Sequence, residues 1–504
     1  MSSLTSKVLT SLGWVFTNIA AKNAIQFVRM VVLWTVLKPE DFGLNFMAWV
    51  AIGAFSLLQD MGFLSALIQR KTDIEAAISV TWYTNVVIRL AVYTLLFFSA
   101  PLIAASFNPA SELELVRVLR VASISVVLGA LASVNQALLR KRFQFKRLLV
   151  VDTSAVLVLS GSQILLAYLG YGVWSLVYGH LASVVTRSLL LWLLAPIRIG
   201  GFDLRVAKEM FHFGMQMSFS TVGLWLIKNM DYFLVGRYLG EAALGYYGLA
   251  FKLSDLIAVN VARMLGSVLF PAFAEIGHDY PRVRSAWLRS VRYSMVGIVP
   301  MGVALMTFAP EIVLVFFPEQ TIVVVPMVIL TLFALCRGVG VPLGNLAKGI
   351  GKPVILTRVV LCHILVMAPL LLVVTTGVTG IRMGLIAVSL VVSGSAIFAI
   401  SLSLFLTSRE VKFTARQVVW ALLPAVTSGL VMAGAGWVGK ELLGVFAPGA
   451  PTLLVLVVAG MFSLCFYVTS LRLLFPSVIS ELRRVLERRR GEKKEKVPGP
   501  AASA

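Results

Sequence analysis

From Ser11 to about Pro476, apolar runs of roughly twenty residues alternate with short polar breaks, about fourteen times over. A bilayer core takes about 20 apolar residues per helix. Lipid leaves unpaired backbone groups without partners, so only helices and closed barrels cross it. These runs are far longer than barrel strands. The pattern predicts an all-α polytopic membrane protein of about 14 transmembrane helices.

Composition agrees. Hydrophobic residues make up 59% of the 504 residues and charged residues 13%, against about 25% charged in soluble domains. Little length remains for a soluble domain once the spans are set aside. Cys336, Cys362 and Cys465 all fall in apolar runs, without the spacing of a metal site or a disulfide framework. They read as small packing groups. The first run carries Lys22 and Arg29, unlike the apolar core of a cleavable signal.

The predicted spans are 11–37, 43–68, 76–105, 116–138, 148–169, 172–195, 211–238, 242–270, 292–317, 321–345, 354–377, 381–407, 417–437 and 452–474. Basic residues collect in the breaks after even-numbered spans: Arg70 and Lys71; Arg140, Lys141, Arg142, Lys146 and Arg147; Arg198, Arg205 and Lys208; Arg282, Arg284 and Arg289; Lys348 and Lys352; Arg409, Lys412 and Arg416. The other breaks hold little beyond Lys38, Arg382 and Lys440. Cytoplasmic loops carry the excess of Lys and Arg, so both termini are expected in the cytoplasm. Most of the net charge of +21 is this topology signal, and nucleic-acid binding is not implied. The basic run Arg483–Lys496 reads as a disordered topology anchor, with attraction to anionic headgroups as the second reading.

The chain also repeats itself. Leu37-Lys-Pro-Glu-Asp-Phe-Gly43 aligns with Leu239-Gly-Glu-Ala-Ala-Leu-Gly245 at an offset of 202, and Phe63–Leu67 meets Leu265–Leu269 at the same offset. Span one thus falls on span seven and span two on span eight. A shift of six spans preserves orientation, so the repeat is parallel, about an axis along the membrane normal. Two six-helix lobes around a central cavity are expected: residues 1–200 and 201–410, then two extra helices at 411–476 and a basic disordered cytoplasmic tail at 477–504.

Ionisable residues at membrane depth usually face a cavity or a partner, because burying one in lipid costs about 2.5–3.5 kcal/mol even on insertion scales. In span one, Asn18, Lys22, Gln26 and Arg29 share one helix face. Their repeat counterparts are Ser220, Leu224, Lys228 and Asp231. Span three adds Asn85 and Arg89, span eight Lys252, Asp255 and Arg263, span six Arg187 and span ten Arg337. Lys228 with Asp231 and Lys252 with Asp255 also fit structural pairs at i and i+3. Arg187, Arg237, Arg117 and Arg120 also fit helix-end side chains that reach for the interface, and Asp60 fits a loop-proximal cap or pair. Lys22 and Arg29 have no acid on their own helix. The candidate substrate-binding set is Lys22, Gln26, Arg29, Arg89, Lys228, Asp231, Arg263 and Arg337. Its balance is cationic, which favours an anionic substrate such as a phosphate or pyrophosphate.

Several segments carry a resemblance. They are Asp231–Lys252 across the seventh and eighth spans, Phe42-Gly43 with Asp60–Lys71, Val268–Phe273, and Gln136–Phe143. Together these resemble the polysaccharide transport family, within the superfamily of the multidrug (MATE) exporters and the lipid II flippase. The resemblance covers roughly residues 10–410. It implies a flippase moving an undecaprenyl-pyrophosphate-linked oligosaccharide across the bacterial inner membrane by alternating access. It also implies membrane lipids, a coupling H+ or Na+, and a polymerase and chain-length regulator as partners. It assigns no individual site residue.

No enzyme signature competes. The Gly344–Lys352 stretch lacks P-loop spacing, and no cofactor is expected. His180, His212, His278 and His363 show no metal-ligand spacing; His180 and His363 lie in spans and read as packing groups or proton relays. Two alternatives stay open. A drug or cation antiporter of the same superfamily would want acids in the cavity. A membrane-embedded polymerase or ligase would want a large outer loop, and the breaks near 106–115 and 438–451 are short.

Overall fold

The computed structural model describes residues 22–56, 62–70, 72–142, 144–377, 380–478 and 480; the side chains at 65, 69, 211–222 and 256–268 lie outside the description. Among the described residues the regular structure is helical, with no strand. The helices are α1 (22–36), α2 (Pro39–Ser56), α3 (Phe63–Gln69), α4 (Ile74–Phe107), α5 (Glu112–Ala122), α6 (Ile124–Lys141), α7 (Phe145–Tyr168), α8 (Val173–Leu194), α9 (Leu204–Glu275), α10 (Tyr280–Thr307), α11 (Ala309–Phe316), α12 (Val324–Gly349), α13 (Val354–Gly377), α14 (Ile381–Val411), α15 (Ala415–Phe446) and α16 (Thr452–Leu474).

Ten spans among the described residues are long and apolar enough to cross a membrane, α5 and α6 counting as one. Besides these ten stand α1, α2 and α9 and the short helices α3 and α11. At about 1.5 Å per residue a helix as long as α9 would overshoot a bilayer of about 30 Å several times over. Its 72 residues are broken at Gly240, whose φ of 88° suits a residue without a Cβ. The break falls between the predicted spans seven and eight. Prolines inside α4, α10, α12, α13 and α15 are tolerated in membrane helices, where neighbours re-satisfy the freed carbonyls. Large apolar side chains such as Phe98, Leu102 and Leu193 point outward, exposed, as a lipid-facing surface requires.

Loop chemistry sets the helix ends. Thr414 and Gln417 form a capping box that opens α15. Asp279 caps α10 by accepting the Arg282 backbone N–H at 3.0 Å.

By contacts the chain divides into two compact units, Met1–Leu249 with Val360–Val392, and Ala250–Val359 with Ser393–Ala504. These bounds differ from the lobes expected at 1–200 and 201–410. In the first unit the two repeat copies interlock at corresponding helix ends. A Cβ at Gly43 would overlap the Glu241 carbonyl, and a Cβ at Gly245 would overlap the Pro39 carbonyl. Gly43 and Gly245 are counterparts at the offset of 202, and so are Pro39 and Glu241. The contact is therefore reciprocal. Gly248 lies against the Phe46 ring, and these two are each other's counterparts. A residue that meets its own counterpart sits on a two-fold axis, so the repeat is spatial as well as sequential. Trp34 stacks on Phe42 with ring centroids 4.1 Å apart. Arg237 donates to the Ala105 carbonyl at 3.0 Å and Ser111 to Glu241 at 3.0 Å. These bonds fix α9, on either side of its break, to the N-terminal part of the chain.

In the second unit, Phe273, Trp287, Val291, Leu343 and Phe413 lie at the centre of one buried core. The C-terminal pair α15 and α16 is tied to α10 and α11. Tyr467 donates to the Val296 carbonyl at 2.9 Å, and Lys440 pairs with Glu311 at 2.9 Å.

Candidate functional site

Within the first unit, α2, α4, α6 and α8 enclose a cavity of about 620 Å³. Small residues leave the space: Gly53 on α2, Gly129 and Ala132 on α6. A Cβ at Gly129 would stand 3.3 Å from Arg89 Nη1, so this glycine admits the Arg89 side chain. The polar lining is Arg89 from α4, Gln136 and Arg140 from α6, and His180 and Arg187 from α8. Trp49 supplies an aromatic wall; its indole N–H donates to Asn45 at 3.0 Å and its ring meets the His180 ring edge-on at 4.4 Å.

A connected polar chain runs from this wall to α1. Asp152 on α7 accepts from Arg187 Nη2 at 2.7 Å and pairs with Lys22 at 3.5 Å. The Gln136 amide, oriented by its neighbours, places its oxygen 2.8 Å from Arg187 Nη2 and 3.2 Å from Arg140 Nη2. Helical spacing accounts for the convergence. Gln136 and Arg140 are one turn apart on α6, and His180 and Arg187 two turns apart on α8. One carboxylate thus serves two cations, and Arg89 and Arg140 add further positive charge. The site can hold a doubly charged anion between guanidinium groups, whose planar forks match phosphate oxygens.

One turn further along α1 from Gln26, which is half-buried, Arg29 donates to Gln163 Oε1 at 2.8 Å, and Gln163 in turn donates to the Leu176 carbonyl at 2.8 Å. Arg29 Nε is buried without a hydrogen-bond partner.

The structure brings Lys22 and Arg89 to this region with Arg187, and treats the other candidates differently. Lys22 has an acid after all, contributed by α7 rather than by its own helix. Arg187 is ion-paired with Asp152 inside the unit. The Lys228–Asp231 pair does not form among the described residues. Lys228 is exposed, and buried Asp231 accepts from Tyr247 Oη at 2.6 Å instead. Asn85 is buried and donates to the Thr81 carbonyl of its own helix at 2.9 Å, a local bond rather than a cavity group. Asp255 engages Arg337 in the second unit. Arg120 donates to the Phe97 carbonyl at 3.2 Å and lies over the Phe97 ring. Asn18, Asp60 and the run 483–496 lie outside the described residues, and Ser220 and Arg263 are in stretches whose side chains are not described.

Sequence reasoning did not place Trp49, Gln136, Arg140, Asp152 or His180 at a binding site. Asp152 was the findable one, as an acid inside a predicted span. Among the described residues no three His, Cys, Asp or Glu stand together as metal ligands.

A family model described as "Polysaccharide biosynthesis protein" matches residues 32–326. The succinoglycan biosynthesis transport protein ExoT of Rhizobium meliloti is 27% identical over 356 residues, 69% of this chain and 70% of that protein. The lipopolysaccharide biosynthesis protein WzxC of Escherichia coli is 26% identical over 350 residues, 68% of this chain and 70% of that protein. The teichuronic acid biosynthesis protein TuaB of Bacillus subtilis is 25% identical over 357 residues, 69% and 73% respectively. Among solved structures, the lipid II flippase MurJ in an inward closed conformation superposes with a TM-score of 0.72 at 15% identity, covering 94% of this chain and all of that one. An inward-facing multidrug MATE transporter gives 0.62 at 19% identity, covering 78% and 96%. These two likenesses place the chain in one fold with them.

Proposed function

The chain belongs to the polysaccharide biosynthesis protein family, and from that premise we propose that it is a flippase for a polyprenyl-pyrophosphate-linked oligosaccharide. The observation that carries this reading is the cationic cavity of the first unit. Its guanidinium groups on Arg140 and Arg187, bridged by Gln136, suit a pyrophosphate, and Trp49 offers an apolar ring face to the first sugar. The names of ExoT and WzxC, a transport protein and a lipopolysaccharide biosynthesis protein, support an exported glycan, and the likeness to the MurJ fold is compatible with a lipid-linked one.

A pyrophosphate in the cavity gains charge-assisted hydrogen bonds while its polyprenyl tail stays in lipid. The protein need not make or break a covalent bond. Alternating access between two lobes of the parallel repeat carries the headgroup across, driven by an H+ or Na+ gradient, the membrane potential or downstream polymerisation. The setting is the bacterial inner membrane, with both termini cytoplasmic, and with a polymerase and a chain-length regulator consuming the product. An antiporter of drug-like cations is disfavoured by the cationic lining.

The test is complementation in a strain lacking the gene. Arg187→Ala is expected to cut surface polymer to about a tenth or less, the loss of a charge-assisted contact being about 1.5–3 kcal/mol, at unchanged membrane abundance on immunoblots. Normal polymer from this variant at normal abundance would exclude Arg187 from substrate handling.

A further inference from the structure

The geometry points to Asp152 as a displaceable internal anion, holding on Lys22 and Arg187 the place that the substrate's phosphate takes during transport. This rests on the reading of the cavity as a pyrophosphate site. Each oxygen of Asp152 faces a different helix: Oδ1 is 2.7 Å from Arg187 Nη2 on α8, and Oδ2 is 3.5 Å from Lys22 Nζ on α1. Asp152 is the acid shared by Lys22 and Arg187, and Arg187 lines the cavity beside Arg140. The side chains of Asp152 and Arg187 are 34% and 39% exposed, so this is an open, exchangeable contact and not a sealed ion pair. Arg187 Nη2 is shared between Asp152 and the Gln136 oxygen at 2.8 Å, and a second oxygen anion at that nitrogen competes directly with the carboxylate.

The device answers a physical problem. Several cations facing one another at membrane depth are costly without an anion, so a carboxylate is needed between transport cycles. A carrier must also let its cargo go, and a resident competitor keeps a doubly charged substrate from binding too tightly to leave. A doubly esterified pyrophosphate, with two charges and four non-bridging oxygens, outcompetes a single carboxylate on a guanidinium fork. When the phosphate departs, Asp152 recaptures Lys22 and Arg187. A purely structural carboxylate predicts the opposite response to neutralisation: looser helices and weaker anion binding.

The experiment uses the full chain in phosphatidylcholine nanodiscs, which keep anionic headgroups out, with inorganic pyrophosphate as the probe in calorimetry. Asp152→Asn is expected to bind at least about threefold more tightly than the wild type, the scale of one partly exposed ion pair. Equal or weaker binding overturns the inference. Asp152→Ser, a second neutral variant that leaves both cations in place, covers poor folding of Asp152→Asn; tighter binding than the wild type supports the inference, and equal or weaker binding overturns it. In discs containing phosphatidylglycerol the tightening should persist. Its loss there would make membrane phosphate the displacing anion and overturn the substrate role. No saturable binding to the wild type would sink both the cavity reading and this one, whereas wild-type binding without tightening in Asp152→Asn sinks this one alone.

Discussion

Asp231 is the buried acid of α9, 2% exposed, with one oxygen held by Tyr247 and the other buried without a hydrogen-bond partner. Removing the Tyr247 hydroxyl takes a hydrogen bond from a buried carboxyl, which costs about 1–3 kcal/mol, more when charged. Tyr247→Phe is therefore expected to lower the thermal midpoint of the purified protein, with little change for Lys228→Ala, whose side chain is exposed. Thermal unfolding followed by fluorescence checks both. A large loss for Lys228→Ala would restore the i, i+3 pair that the sequence suggested. That pair was the legible reading because helical spacing is local. Tyr247 lies beyond the break at Gly240, and no spacing rule carries a contact across such a break. Asp152 was obscured in the same way: its partners come from α1 and α8, so only tertiary packing reveals that Lys22 has an acid.

At the level of elements, the repeat was legible because glycines that admit a backbone cannot drift. The offset of 202 read from Gly43 and Gly245 reappears as a reciprocal contact with Glu241 and Pro39. The obstacle at both positions is a carbonyl, which no side-chain rotation moves aside. Gly43→Ala and Gly245→Ala should each force the helix ends apart, with a loss on the order of 1–3 kcal/mol, typical of overpacking. Gly460→Ala, with open space around it, should be neutral. Folded yield after detergent extraction reads the difference, and equal yields for all three would refute the interlock. The unit boundary was not legible. Hydropathy marks where α9 enters the membrane, but not that both sides of its break are bonded to the first copy, through Arg237 and Glu241.

For the whole molecule, the alternation of apolar runs was enough to give a multi-pass helical membrane protein, because lipid permits few other solutions. Orientation rests on the loop charges. In a variant lacking Cys336, Cys362 and Cys465, Gln144→Cys should resist an impermeant thiol reagent applied to spheroplasts and react once the membrane is opened; labelling from outside would invert the topology. The cationic cavity was half legible: Lys22, Arg29 and Arg89 stood out as charges in apolar runs, whereas Arg140 looked like a loop charge because it ends α6. The central claim is that this cavity carries a lipid-linked pyrophosphate headgroup across the bilayer. Transfer of a polyprenyl-pyrophosphate-linked sugar between leaflets of proteoliposomes, read as the fraction reached by an impermeant glycosidase, tests it directly. The wild type should expose substrate well above protein-free liposomes and Arg187→Gln about tenfold more slowly, as expected for one lost charge-assisted contact. No transfer by the wild type, or equal transfer by Arg187→Gln, would contradict it.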